Sequence, residues 1–204
     1  RSLIEDQRAR VDQARYEMVV YNADGSLAEM CGNGLRCVVA YLHRRGLICA
    51  DDQRETLLTG AGPLAVSVNA QDHVGVHLGW PDVETPLSLS DHMGDLLTLP
   101  FYSLGNPHTV TFDREHMLKR SQLGPLWCEE VLGGVNVSFA RLITPKLIEL
   151  YVYERGCGWT LACGTGACAT VFDAHRRGEL TQEGPIQVRL PGGSLFFEID
   201  SCGL

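Results

Sequence analysis

The sequence predicts an α+β fold of two pseudo-symmetric halves, each a curved mixed or antiparallel sheet wrapped around a central helix. The prediction comes from an internal repeat at an interval of 132 residues, from a helical apolar pattern in each copy, and from short β-branched and aromatic runs around it. Many short strands around one helix favour a closed or strongly curved sheet. The seam is predicted near residues 78–81, which gives an N-terminal half over 1–78 and a C-terminal half over 79–204.

The repeat pairs residues 17–46 with residues 149–178 without a gap. Eleven of the 30 pairs are identical, where about two are expected by chance at typical residue frequencies. Both copies contain Cys-Gly-x-Gly and both end in His-Arg-Arg-Gly. The two halves are therefore predicted to share one local structure.

The repeated unit begins with a strand, predicted over 18–21 in the first copy and over 150–153 in the second. A polar turn and the Cys-Gly-x-Gly segment follow. The helix comes next, with Leu35, Val38, Val39 and Leu42 at i, i+3, i+4 and i+7. Arginines and a glycine close each helix, since cations complement its C-terminal dipole and glycine adopts the left-handed conformation. Further strands are predicted over 64–68 and 195–199.

The composition narrows the function classes. The net charge of −8 argues against nucleic acid or an anionic membrane as the main partner. No apolar run approaches the roughly 20 residues of a membrane span, and the first residues do not form a signal peptide, so a cytoplasmic protein is expected. Eight cysteines in a chain that is 45% apolar favour reduced thiols over a disulfide framework, and their spacing predicts no metal site.

The Cys-Gly-x-Gly segments predict chemistry at Cys31 and Cys163. A helix N-terminus presents unpaired N–H groups and a partial positive charge, which lower the pKa of a thiol there. Glycines let a ligand approach the backbone closely. Two such sites, related by a pseudo-two-fold, predict a pair facing one ligand from both sides. The alternative is that both cysteines are buried structural residues.

Such a pair suits racemisation. One thiolate removes the α-proton of an amino acid, and the opposite thiol delivers a proton to the other face. Cys31 and Cys163 are therefore the predicted catalytic residues.

Five motifs in order closely resemble those of the diaminopimelate epimerase family, over essentially the whole chain. They are Asn-Ala-Asp-Gly-Ser at 22–26, Cys-Gly-Asn-Gly-Leu-Arg-Cys at 31–37, Gly-Asn-Pro-His at 105–108, Tyr-Glu-Arg-Gly at 153–156 and Ala-Cys-Gly-Thr-Gly-Ala-Cys-Ala at 162–169. The resemblance implies epimerisation of LL- to meso-diaminopimelate in lysine and peptidoglycan synthesis, with no PLP, other cofactor or metal. It also implies an active site in the cleft between the halves. A homodimer is one possible oligomeric state.

The resemblance also implies a set of site residues. Substrate contacts are expected from Asn22, Gly32, Asn33, Asn106, Asn136, Glu154, Arg155, Gly164 and Thr165. His108 and Glu154 are expected beside the thiols, where they tune the thiol pKa. The residue types suit the substrate, because Arg155 can hold a carboxylate in a fork and asparagines offer donors and acceptors to a zwitterion.

Several of these residues have a structural alternative. The segments at 22–25 and 106–107 alone indicate turns, Arg155 could pair on the surface, His108 could be a structural hydrogen-bonder, and Asn136 could face solvent. His43 and His175 are interpreted as helix-end residues. The remaining cysteines are interpreted as structural: Cys37, Cys49, Cys128, Cys157, Cys168 and Cys202.

The chain also departs from the family. Its internal symmetry places a counterpart of Gly105-Asn106 before residue 1 and a counterpart of the strand near 74–81 after residue 204. We therefore expect the isolated 204-residue chain to be poorly active, whereas a full-length parent epimerises diaminopimelate. Trp159 stands where many members have Glu. Because it lies four residues from Cys163, this difference could reshape the pocket entrance and change which substrate fits. The alternatives are another two-thiol racemase, of the proline or hydroxyproline type, and an inactive fragment.

Overall fold

A computed structural model describes residues 14–21, 25, 27–28, 30–50, 54–91, 93–181, 184–200 and 203–204. The chain divides into two compact units, and the boundary lies between Leu78 and Gly79. Among the described helices, none is both long enough and apolar enough to cross a bilayer.

The first unit places one helix beside a four-stranded sheet. Its elements are β1 (Tyr16–Glu17), β2 (Val20–Tyr21), β3 (Leu27–Ala28), α1 (Gly32–Arg44), β4 (Glu55–Thr59), β5 (Gly62–Val68) and β6 (Val74–His77). The sheet order is β1-β4-β5-β6, and β2 pairs with β3 separately. Strand β1 runs parallel to β4, so α1 lies in the connection between two parallel strands. The helix buries Leu35, Val39 and Leu42 against the sheet, as its periodicity predicts.

The second unit is built on an eight-stranded sheet. Its strands are β7 (Asp82–Val83), β8 (Leu87–Ser90), β9 (Leu96–Leu99), β10 (Phe101–Ser103), β11 (Pro107–Thr111), β12 (Asn136–Thr144), β13 (Leu147–Glu154), β14 (Gly158–Trp159), β15 (Ile186–Leu190) and β16 (Gly193–Phe197), and its helices are α2 (Arg114–Leu118), α3 (Arg120–Glu130) and α4 (Gly164–Arg176). The order is β16-β15-β13-β12-β11-β10-β7, with β14 paired to β13 and β8 paired to β9 in a separate ribbon. Strand β13 runs parallel to β15, so α4 also lies between two parallel strands.

Helices pack on both faces of this sheet. Helix α4 buries Ala167 and Val171 against Leu150 and Val152 of β13. On the other face, α3 packs Leu123 and Trp127 against Val137 and Phe139 of β12. Successive strand residues point to opposite faces, which gives β12 and β13 a buried side toward each helix. The thiol-bearing helix therefore lies on one defined face of the sheet.

The predicted α+β class is confirmed by the mixed sheets and few helices. Both predicted helices begin directly after their cysteine, at Gly32 and Gly164, and both end at the predicted arginines. The glycines that follow have φ of +69° and +70°, in the left-handed region. His43 and His175 lie in the last helical turns, as predicted.

Two strand predictions need correction. Of the strand predicted over 18–21, only β2 is a strand, and it pairs with β3, whereas β1, which pairs with β4, ends before the predicted range. Met18 lies between them, and its N–H donates to the carbonyl of Leu58 over 2.8 Å. The strand predicted over 195–199 ends at Phe197.

Candidate active site

Cys31 is the N-cap of α1. Its backbone is extended, with φ −139° and ψ 99°, and its Sγ accepts the Gly34 N–H at 3.3 Å. A Cβ on Gly34 would stand only 3.2 Å from that sulfur, so glycine at this position leaves room for the thiol. Gly32 and Asn33 form the start of the helix, and Cys31 itself is half-buried. Asn22 lies outside the described residues.

Cys163 has the same geometry in the second unit. It is the N-cap of α4, with φ −130° and ψ 111°, and its Sγ accepts the Gly166 N–H at 3.4 Å. Gly164 opens the helix, as Gly32 does in α1. The sulfur differs from that of Cys31 in its surroundings, because Cys163 is only 3% exposed. The repeat in the sequence thus corresponds to two thiols that each cap a helix.

A chain of hydrogen-bonding side chains connects His108 to Cys163. His108 Nε2 lies 3.0 Å from Asn106 Oδ1, and Asn106 Nδ2 donates to Thr165 Oγ1 over 3.3 Å. Thr165 Oγ1 lies 3.6 Å from Cys163 Sγ. Since the Thr165 oxygen accepts from Asn106, its own proton can point to the sulfur. Strand β11 and the start of α4 therefore converge on one thiol.

His108 is fully buried and neutral. Burial, with a smaller contribution from the Arg155 charge, lowers its pKa to about 3. Because the Asn106 carbonyl oxygen only accepts, the proton of the neutral ring is on Nε2. Nδ1 then carries a lone pair, with no hydrogen-bond partner in the described part of the chain. His108 reaches Cys163 through Asn106 and Thr165, and its tuning of the thiol stays a prediction.

The pKa of Cys163 is raised, to about 12. Burial is the largest cause, followed by the charge of the Glu154 carboxylate and its hydrogen bond to the thiol. The Gly166 N–H and the Thr165 hydroxyl act in the opposite direction. The expectation of a lowered pKa is therefore wrong for Cys163, because burial and Glu154 outweigh the helix terminus. At neutral pH this thiol holds its proton.

Asn136 and Arg155 meet at the ends of β12 and β13. Asn136 is 4% exposed; its Nδ2 donates to the Pro107 carbonyl at 2.9 Å, and its Oδ1 accepts the Arg155 N–H at 2.9 Å. The alternative that Asn136 faces solvent is therefore wrong. The Arg155 Nη1 donates to the Gly133 carbonyl at 3.3 Å, and its aliphatic carbons lie against Gly134. The absence of a side chain at Gly134 thus lets the Arg155 side chain pack directly against the backbone.

The structure brings most of the predicted residues of the second unit together around one thiol. In the first unit, the described members of the predicted site lie at the start of α1. Two further residues were missed. Thr160 donates its hydroxyl to Glu154 Oε1, and Ser138 is buried, with its Oγ 3.3 Å from the point where a Gly166 Cβ would stand. Strand periodicity could have found Ser138, which is two residues from Asn136. The described residues contain no group of three His, Cys, Asp or Glu side chains able to hold a metal.

Comparison with known proteins places these features in context. The sequence model of the diaminopimelate epimerase family matches residues 3–83 and 101–203. Diaminopimelate epimerase from Alkalilimnicola ehrlichii is 38% identical, over 92% of this chain and 71% of the relative. The enzyme of the same name from Xylella fastidiosa strain M12 is 37% identical, over 86% of this chain and 66% of the relative. The chain thus spans about two thirds of the length of these relatives.

Solved structures show the same fold. A probable proline racemase from Agrobacterium radiobacter has a TM-score of 0.68 at 18% identity, over 89% of this chain and 62% of that chain. A hydroxyproline epimerase from Agrobacterium vitis, with trans-4-hydroxy-L-proline bound, has a TM-score of 0.68 at 17% identity, over 89% of this chain and 61% of that chain.

Proposed function

The chain belongs to the diaminopimelate epimerase family of isomerases, and from that membership we propose that it carries the two catalytic thiols of a cofactor-independent epimerase acting on diaminopimelate. The observation that carries the proposal is the repeated thiol cap: Cys31 and Cys163 each accept an N–H at the start of a helix. One thiolate removes the proton from the substrate α-carbon, and the other thiol gives a proton to the opposite face. The charge is balanced because one sulfur gains the proton that the other loses.

Cys163 enters this cycle as the acid in the substrate-free protein, because burial and Glu154 favour its protonated form. After it has given up its proton, the Gly166 N–H and the Thr165 hydroxyl stabilise the thiolate. A substrate ammonium beside Glu154 would offset the carboxylate charge and ease the loss of that proton. The same surroundings therefore supply a donor that becomes a base for the reverse reaction.

Substrate recognition is proposed for the polar groups around each thiol. Asn106, Thr165 and Asn136 offer donors and acceptors, and Arg155 offers a guanidinium that can hold a carboxylate. The N–H groups at the start of α4, including that of Gly164, suit a second carboxylate. Asn22, Gly32 and Asn33 are proposed to contribute the equivalent contacts from the first half.

The two-thiol mechanism is tested with Cys31→Ala and Cys163→Ala in the purified full-length protein, in deuterium oxide. We expect each variant to lose at least about 1,000-fold in epimerisation, since neither thiol can serve both faces. Wild-type protein should incorporate deuterium into the α-position of the product formed from either LL- or meso-diaminopimelate. Normal turnover by either variant would contradict the mechanism.

A proline-type racemase is the second candidate, kept because solved proteins of that type share the fold. The same exchange experiment with proline and hydroxyproline separates the two. Exchange with proline alone would exclude diaminopimelate as the substrate.

A cytoplasmic location and a homodimer complete the proposal. The seven described cysteines, all free thiols, support a reducing compartment, and sedimentation of the purified protein tests the dimer.

A further inference from the structure

Thr160 stands directly after β14 and three residues before Cys163, and its hydroxyl donates to Glu154 Oε1. We infer that Thr160 is a positioning residue for proton transfer at Cys163, because its hydroxyl holds the Glu154 carboxylate in the orientation in which it acts on the thiol. The inference rests on the proposed function, since it assigns a task within that reaction.

The backbone fixes Thr160 to the strand that carries Glu154. Strand β13 ends at Glu154, and the chain turns through Gly156 and Gly158, whose φ angles of +77° and +74° suit glycine. Strand β14 then returns antiparallel, with Gly158 opposite Glu154. The Thr160 N–H extends this pairing by donating to the Val152 carbonyl at 3.4 Å. The hydroxyl and the carboxylate therefore belong to one short hairpin.

Aromatic packing fixes the same hairpin from the other face of the sheet. The Trp159 ring lies 5.4 Å from the Tyr153 ring in an edge-to-face arrangement and 5.9 Å from the Phe139 ring. Neighbouring strand residues point to opposite faces, so Trp159 on the α3 side directs Thr160 to the side of α4 and Cys163. The orientation of the hydroxyl is thus set by packing as well as by the backbone.

The chemistry explains why Glu154 needs such a contact. The terminal torsion of a glutamate is broad, so the carboxylate of Glu154 can rotate unless something holds it. A hydroxyl donating to one oxygen fixes that rotation and leaves the other oxygen for the thiol. The Glu154 carboxylate, through its charge and its hydrogen bond, is one of the groups that raise the pKa of Cys163. The other groups acting on this thiol are the Gly166 N–H and the Thr165 hydroxyl.

The test compares Thr160→Val, which keeps the shape but loses the hydroxyl, with Thr160→Ser, which keeps the hydroxyl. Protein labelled with ¹³C at the cysteine Cβ is titrated by NMR, and the Cys163 resonance is assigned from its loss in Cys163→Ala. We expect Thr160→Val to lower the pKa of Cys163 relative to wild type, and Thr160→Ser to leave it unchanged. Turnover of diaminopimelate should fall about 10-fold in Thr160→Val with KM changed less than about twofold, and Thr160→Ser should restore it.

A second comparison isolates the route through Glu154. In a Glu154→Gln background, Thr160→Val should cause no further change in the titration of Cys163. The inference is overturned by a Thr160→Val titration equal to wild type, or by a shift that persists in Glu154→Gln. If Thr160→Val folds poorly by circular dichroism, Thr160→Ala must produce the same shift, and its absence there also overturns the inference. The titration needs no turnover, so a wild-type protein that titrates as expected without epimerising would contradict the proposed function alone.

Discussion

Gly166 stands where three elements meet beside the Cys163 sulfur. A Cβ at this position would lie 3.2 Å from Val152 Cγ2 and 3.3 Å from both Cys163 Sγ and Ser138 Oγ. All three neighbours are buried, so none can move at little cost. The absence of a side chain at Gly166 therefore determines where the thiol can sit.

We predict that Gly166→Ala lowers the turnover number about 10- to 100-fold by displacing the thiol and lowers the free energy of unfolding by about 1–3 kcal/mol. Gly34→Ala is the matched control. Its methyl would lie 3.2 Å from the sulfur of Cys31, which is half-buried, and 3.9 Å from the sulfur of Met18. It should cost less stability. Urea unfolding and steady-state kinetics measure both effects, and a larger loss of stability in Gly34→Ala would contradict the prediction.

The sequence identified both thiols but not the acidity of Cys163. Cys31 and Cys163 could be predicted because the repeat and the neighbouring glycines are local in the chain. The raised pKa of Cys163 could not, since it arises from burial under the sheet and from a carboxylate nine residues away in the sequence. Thr160 was missed for a related reason, because its contact with Glu154 depends on how one hairpin closes.

Among the elements, α3 is shaped by its contact with β14. Gly124 lies inside the helix, where glycine is unfavourable by about 1 kcal/mol relative to alanine. A Cβ there would stand 3.0 Å from Trp159 Cζ2 and 3.0 Å from Tyr153 Cβ. The helix thus accommodates the large ring of Trp159, and the hairpin bearing Thr160 depends on that space.

Gly124→Ala should therefore destabilise the protein by about 1–3 kcal/mol, although the same change in an exposed helix would stabilise it. Trp159→Ala should also destabilise, because the ring contacts with Tyr153 and Phe139 are lost. The double variant should lose less stability than the sum of the losses in the two single variants, because without the Trp159 ring the new methyl group has room. Thermal or urea unfolding of wild type, the two single variants and the double variant measures this coupling. Strictly additive losses would show that the Trp159 ring does not restrict the size of the residue at position 124.

The elements differ in how far the sequence predicts them. Helices α1 and α4 can be predicted from a cap, a helical apolar pattern and a terminal glycine, which all lie within 16 residues of chain. Helix α3 gives no such signal, because Gly124-Pro125 in its middle indicates a turn. The parallel pairing of β11 with β12 joins residues on either side of α2 and α3, and local patterns do not encode such long-range partners.

For the whole molecule, buried titratable groups set the dependence of stability on pH. His108 has a folded pKa of about 3, below its ordinary 6.5, so the unfolded chain binds its proton first and stability falls as pH drops from 6.5 towards 3. Cys163 and Cys168 have folded pKa values of about 12, above their ordinary 9.0. Their contribution is complete below pH 9 and is lost as pH rises towards 12.

Cys168→Ala separates one of these contributions without touching the proposed site. The variant should be less stable at every pH because a buried side chain is shortened. Its free energy of unfolding should fall less steeply than that of wild type between pH 9 and 10.5, since one titrating thiol is gone. Urea unfolding at intervals of pH measures the slopes. Equal slopes in the two proteins would contradict the assignment.

The placement of each thiol-bearing helix between two parallel strands has a consequence for the order of folding. Helix α1 connects β1 to β4, and α4 connects β13 to β15, so each pairing closes a loop of about 40 residues. Closing such loops costs chain entropy before any pairing energy is gained. The helices can form early from local signals, but Cys163 becomes buried only when the strands close over α4. Along the folding reaction, the rise in the pKa of Cys163 is therefore a late event that reports the completed sheet.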